Sequence, residues 1–238
     1  MKKLMLCLVL GTFFMVLPFT LQAYTINDPV GDAVGERAFE SYGINIYNYT
    51  PGLYSGPITF DLFTNYPQGG VSVSGWDTKP ADLFVYETYY GQSYTWAIPL
   101  VSHDGFNTGT MYAVKDYYIS NDFDPSSGSL SYNHNVPVRI ATIGNNYGYT
   151  AFGGLLIEWN TLSGGSDYRI NIVTGSYQDD PNGTYSLLWG TATCANDVVT
   201  GQVPVPEPAT VLLLGLGLIG LSGVRRITKR KLFAPSSR

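Results

Sequence analysis

The 238-residue chain is poor in charged residues, at 13%, and rich in aromatic ones, at 14%. Its formal net charge of −5 hides a division: residues 24–208 hold all 18 Asp and Glu but only five of the 13 Lys and Arg, a net charge of −13. A body that acidic repels nucleic acid, which is excluded as a partner, and its single cysteine, Cys194, excludes an internal disulfide.

Lys2 and Lys3 precede an almost unbroken apolar run over residues 4–17, and a polar stretch then ends at Leu21-Gln22-Ala23. This is the pattern of a secretory signal peptide, residues 1–23, and it predicts that signal peptidase cuts between Ala23 and Tyr24. The run is too short to span ~30 Å of hydrocarbon as a retained helix.

Next comes Asn27-Asp28-Pro29-Val30-Gly31-Asp32. Two carboxylates four apart around a Pro-Gly turn can converge on a hard cation, so Asp28 and Asp32 are the candidate metal ligands and calcium the candidate ion. The competing reading is an Asx-type turn entering the first strand.

From there to residue 205 the chain alternates apolar and polar residues at the strand period of two. Ile44-Asn45-Ile46-Tyr47, Ile58-Thr59-Phe60-Asp61-Leu62, Val136-Pro137-Val138-Arg139-Ile140 and Tyr168-Arg169-Ile170-Asn171-Ile172 are clear cases. Turn clusters such as Tyr66-Pro67-Gln68-Gly69-Gly70 and Asp180-Pro181-Asn182-Gly183 separate them. Nine or ten short strands predict an all-β body over residues 24–205, an antiparallel two-sheet sandwich of jelly-roll or carbohydrate-binding-module-like form. Pro99 and Pro137 belong at edges or bulges.

Within this body Tyr86, Tyr89, Tyr90, Tyr94 and Trp96 form the densest aromatic group, a candidate glycan platform or else ordinary sheet packing. His103 and His134 sit in polar turns and read as solvated side chains. Glu158 alternates with Ile157 and Trp159 and points away from their face; Glu87, after Tyr86, reads the same way. Such carboxylates raise a polysaccharide-active enzyme as an alternative to a binding or structural body. No catalytic residue is assigned.

The C-terminal part has three ordered features. Pro206-Glu207-Pro208 holds the backbone extended, because each proline fixes its own φ and disfavours helix before it. Residues 209–224 are uncharged and apolar, a predicted transmembrane helix of about 24 Å. Arg225, Arg226, Lys229, Arg230 and Lys231 follow at once and keep that end on the cytoplasmic side. Gly215-Leu216-Gly217-Leu218-Ile219-Gly220 matches a dinucleotide fingerprint, but no strand precedes it and no acidic residue follows Glu207, so it is rejected.

Together, Pro206-Glu207-Pro208, the Gly/Leu helix and Arg225-Arg226 resemble the PEP-CTERM sorting signal of Gram-negative bacteria, over residues 206–231. The resemblance implies an exosortase-type enzyme as partner. It implies a transient anchor in the inner membrane, then transfer to the cell surface or the exopolysaccharide matrix. A permanent single-pass membrane protein is the alternative.

Overall fold

The computed structural model describes residues 23–33, 37–48, 54–55, 57–73, 76–123, 133, 135–146, 148–162, 164–165, 167–175, 177–178 and 184–203. Residues 1–22 of the expected signal peptide, the Pro206-Glu207-Pro208 motif, the apolar segment 209–224 and the basic cluster lie outside the described residues. Among the described residues no helix is long and apolar enough to cross a membrane.

Among the described residues all regular structure is β, apart from two short 3-10 turns, Arg37–Phe39 and Ser120–Phe123. Its strands are β1 (Tyr24–Asn27), β2 (Ser41–Tyr47), β3 (Tyr54–Ser55), β4 (Thr59–Thr64), β5 (Ser72–Val73), β6 (Trp76–Asp77), β7 (Leu83–Tyr89) and β8 (Gln92–Ile98). After these come β9 (Thr110–Ile119), β10 (Pro137–Ile143), β11 (Ala151–Gly153), β12 (Leu156–Thr161), β13 (Tyr168–Val173), β14 (Tyr177–Gln178), β15 (Thr184–Gly190) and β16 (Val198–Val203). All the pairings are antiparallel. One sheet has the order β1-β2-β4-β13-β12; the other runs β10-β9-β8-β7-β15-β16, with β11 on the first part of β9. β14 pairs with β3, and β5 with β6.

Period-two alternation explains the core. Ile44 and Ile46, Phe60 and Leu62, and Ile170 and Ile172 point inward from the five-stranded sheet. Leu83, Val85, Leu187, Trp96 and Trp189 meet them from the other sheet. The sandwich expected from the sequence is therefore the fold, although the strands outnumber the nine or ten expected because several are only two or three residues long.

At one seam the layers nearly touch. A side chain on Gly201 of β16 would begin 2.7 Å from Ile26 of β1, so only glycine lets the first and last strands of the body lie together.

The seven-stranded sheet carries a second, smaller core on its outer face. β9 is ten residues long and outruns its partner β8, and its far half pairs with β10. β10 folds back over the sheet so that Ile140 packs with Phe84 and Ala97. The Asp82 amide donates to the Val138 carbonyl at 2.9 Å, and the Ile140 amide donates to the Asp82 carboxylate at 2.9 Å. Pro137 opens this edge strand beside a register shift, as a proline within a strand run requires. Pro99 follows the last residue of β8.

Candidate metal centre

The turn after β1 carries Asp28, Pro29, Val30, Gly31 and Asp32. Gly31 has φ +91°, a conformation that side chains disfavour, and its amide donates to the Glu40 carboxylate. Glu40 is buried, and its carbonyl accepts from the Asn65 amide at 3.0 Å and the Thr64 hydroxyl at 2.7 Å. The turn is thus tied to the end of β4.

Ser41, the first residue of β2, lies between two carboxylates. Its amide donates to Asp197 Oδ2 at 2.6 Å. Its Oγ lies 2.7 Å from Asp28 Oδ2 and 2.8 Å from Asp197 Oδ2. Asp197 closes the β15–β16 connection, whose residues 191–197 are all buried, and its Oδ1 accepts from the Val198 amide at 2.8 Å. Oxygens of Asp28, Asp32 and Asp197 come within 4.8 Å of one another.

A serine hydroxyl has one proton to donate and faces two carboxylates. The second contact is a hydrogen bond only if one carboxyl keeps its own proton; with both ionised, a cation would have to offset the repulsion between the oxygens. The electrostatics agree. Asp28 is pushed up to about 7, chiefly by burial and then by the charges of Asp197 and Asp32, against the pull of the Ser41 hydrogen bond. Asp197 is also raised, again first by burial. A calcium ion takes oxygen ligands at about 2.3–2.6 Å, so oxygens on opposite sides of one ion stand roughly 5 Å apart. The observed spread fits within that span.

Sequence reasoning placed Asp28 and Asp32 here but missed Ser41, Glu40 and Asp197. Asp197 comes from the far end of the chain, in a run of Thr, Ala and Asn with no ligand spacing, so local sequence carries no signal for it. Among the other loop acids, Asp122 accepts the Ile119 amide at 2.8 Å and is not in this group; Asp124, Asp179 and Asp180 lie outside the described residues.

The five aromatics of the expected glycan platform do not share one surface. Trp96 is buried in the main core and donates to Glu87 Oε2 at 2.9 Å. Tyr94 lies opposite Glu87 on the inward side of the β7–β8 hairpin, whereas Tyr86 packs into the outer core beside Phe84. Tyr89 and Tyr90 meet edge to face at the hairpin tip, Tyr90 being 76% exposed.

Two other expectations need correction. Glu87 does not point outward; it is buried, with Tyr185 donating to its Oε1 at 2.9 Å. Its face is set by Val85 before it, an inward residue. His103 is not solvated. Its ring is 4% exposed, with Nε2 2.8 Å from buried Asp82 and Nδ1 3.2 Å from Asp104. The Asp82 that holds β10 therefore also holds this ring. His134 lies outside the described residues. Glu158 is exposed, and Ile157 and Trp159 pack against the core, as their alternation predicts. Cys194 is buried in a small cluster with Phe39, Tyr66 and Ala192.

Residues 204–226 match the family model of the PEP-CTERM protein-sorting motif. No curated protein and no solved structure matches the chain. The match begins at the residue after the last strand, β16. The chain thus carries an exosortase-type sorting signal, which implies export, anchoring at the membrane and the cell surface as its destination.

Proposed function

We propose that this is an exported surface or matrix protein whose β-sandwich works as a binding or structural module, with glycans as its ligand class and its acidic pole closed by calcium. The observation that carries the reading is the sorting motif at residues 204–226, placed directly after the last strand of an all-β body. Three acids from two distant loops, two of them sharing a single serine hydroxyl, support the calcium.

A polysaccharide-active enzyme would need two carboxyl groups flanking one bond. Glu87 is buried on the inward side of one sheet and Glu158 is exposed on the outward side of the other, so this pair cannot act on a common bond. The close pair, Asp28 and Asp197, does not line the two cavities walled by Ile58, Phe60, Val85 and Tyr185 among the described residues.

The test is processing in a host that carries the sorting enzyme. The parent protein is expected at the surface as a shortened form whose N-terminus is Tyr24. The triple variant Pro206→Ala, Glu207→Ala, Pro208→Ala is expected to stay uncleaved in the inner membrane, because alanine lets the extended segment turn helical. Replacing Arg225, Arg226, Lys229, Arg230 and Lys231 by Gln should instead disturb orientation. Equal processing of parent and triple variant would reduce the motif to a proline-rich linker and overturn the reading. An unshortened parent that stays in the membrane would favour a permanent single-pass protein.

A further inference from the structure

The five-stranded sheet has an outer face as well as a core face. Because Ile26, Ile44, Leu62, Ile170 and Trp159 point inward or pack on the core, their neighbours in sequence point outward. The strand registers place Thr25 beside Asn45, Asn45 beside Asp61, Asp61 beside Asn171 and Asn171 beside Glu158. These five side chains form one straight row across all five strands, about 19 Å long at ~4.8 Å per strand. Along the row Thr25 and Glu158 are exposed, Asn45 and Asn171 are half-buried, and Asp61 at the centre is buried.

The chemistry of the row is specific. It is built from amides, a hydroxyl and carboxylates, and it contains no lysine. Asn171 donates to Asp61 Oδ1 at 2.7 Å, and Asn45 donates to the Tyr47 hydroxyl at 3.1 Å, so the groups are held in place. Half-buried aromatic rings flank the row, Phe63 on one side and Tyr47 on the other. Beside Phe63, Arg169 and Asn160 are direct cross-strand neighbours, and Arg169 Nε and Asn160 Nδ2 are both enclosed with no hydrogen-bond partner. The Arg169 guanidinium reaches Asp61 only at 4.0 Å. A sheet face seldom leaves two adjacent enclosed donors unpaired.

We propose that this outer face binds a neutral polysaccharide chain laid across the strands. Each sugar hydroxyl both donates and accepts, as the side-chain amides of Asn45, Asn160 and Asn171 do. Phe63 and Tyr47 offer ring faces to the apolar faces of sugar rings. Two carboxylates against one guanidinium turn an anionic chain away. The proposal rests on the body being a glycan-binding module and moves the site from the β7–β8 hairpin to the opposite sheet.

The exported protein recovered from its host is run in native gels cast with hydroxyethylcellulose, with dextran, or with alginate as the anionic control. Retardation is expected with at least one neutral polymer and not with alginate. Asn171→Ala and Phe63→Ala are each expected to weaken it at least tenfold, with thermal midpoints showing that the variants are folded. Asn160→Ala, nearer the sheet edge, serves where either of those variants fails to fold, and the same loss is expected. Tyr90→Ala is expected to leave retardation unchanged. Retardation lost with Tyr90→Ala and kept in the sheet variants would overturn the placement while leaving a glycan-binding body intact. Retardation by alginate alone would overturn the neutral ligand, and no retardation by any polymer would overturn both.

Discussion

Stability should fall as the pH rises from 4 to 7.5 in the absence of divalent cations, and calcium should restore it. Asp28 has its carboxyl pushed up to about 7 in the folded protein, against 3.8 for the free side chain. The folded state therefore binds a proton more tightly than the unfolded chain. Stability from this group is complete below about pH 4 and is lost as the pH climbs through 7. An unscreened shift of that size corresponds to ~4 kcal/mol, but Asp28 is only half-buried, and solvent screening brings the working figure to about 2 kcal/mol. For a body of this size that is roughly 4–8 °C in Tm. Asp197, raised in the same direction, adds to the slope. A cation that binds only the folded state adds ~2.7 kcal/mol at 100 times its Kd, enough to reverse the loss. The assay is thermal denaturation followed by circular dichroism across this pH range, in chelator and in calcium, for the parent and for Asp28→Asn. The variant should flatten the slope in chelator and lose most of the calcium response. A parent with equal Tm in calcium and chelator at pH 7.5, or a variant with the parent's slope, would refute the reasoning.

His103→Ala should destabilise the body by about 3 kcal/mol, or roughly 6–12 °C, because it leaves the fully buried Asp82 carboxylate without its ring partner; urea denaturation measures this, and a change under 1 kcal/mol would mean that the pair is dispensable. Gly201→Ala should cost about 1–3 kcal/mol by forcing its new methyl against Ile26, and in the double variant with Ile26→Ala the two losses should be less than additive, which a double-mutant cycle reads directly.

Longer strands were legible in the sequence because a period of two needs only four or five residues to declare itself. Thr59–Thr64 and Tyr168–Val173 do so, with Phe60 and Leu62 inward from one and Ile170 and Ile172 inward from the other. Strands such as Ser72–Val73 and Trp76–Asp77 are defined by their partner alone, and two residues have no period to read. Side-chain direction failed where a polar residue was the one turned inward. Glu87 follows the inward beat of Leu83 and Val85, and its donors Trp96 and Tyr185 come from neighbouring strands. His103 is buried by Asp82, 21 residues away, whose role emerges only when β10 folds over it. The acidic pole was half legible: two of its acids are near neighbours in sequence, and the third is not.

That distance has a consequence for the order of assembly. The bond from the Ser41 amide to Asp197 joins residues 156 positions apart, and Ile26 settles on Gly201 only once the last strand arrives. A chain exported from its N-terminus shows β1 to the outside first but cannot finish the sandwich until nearly all of it has crossed. The three carboxylates of Asp28, Asp32 and Asp197 meet at the same late moment. Because the sorting motif starts at residue 204, right behind β16, the signal for sorting reaches the membrane just as the body becomes able to close. Completion of the fold and readiness for sorting are thereby matched in time by the layout of the chain.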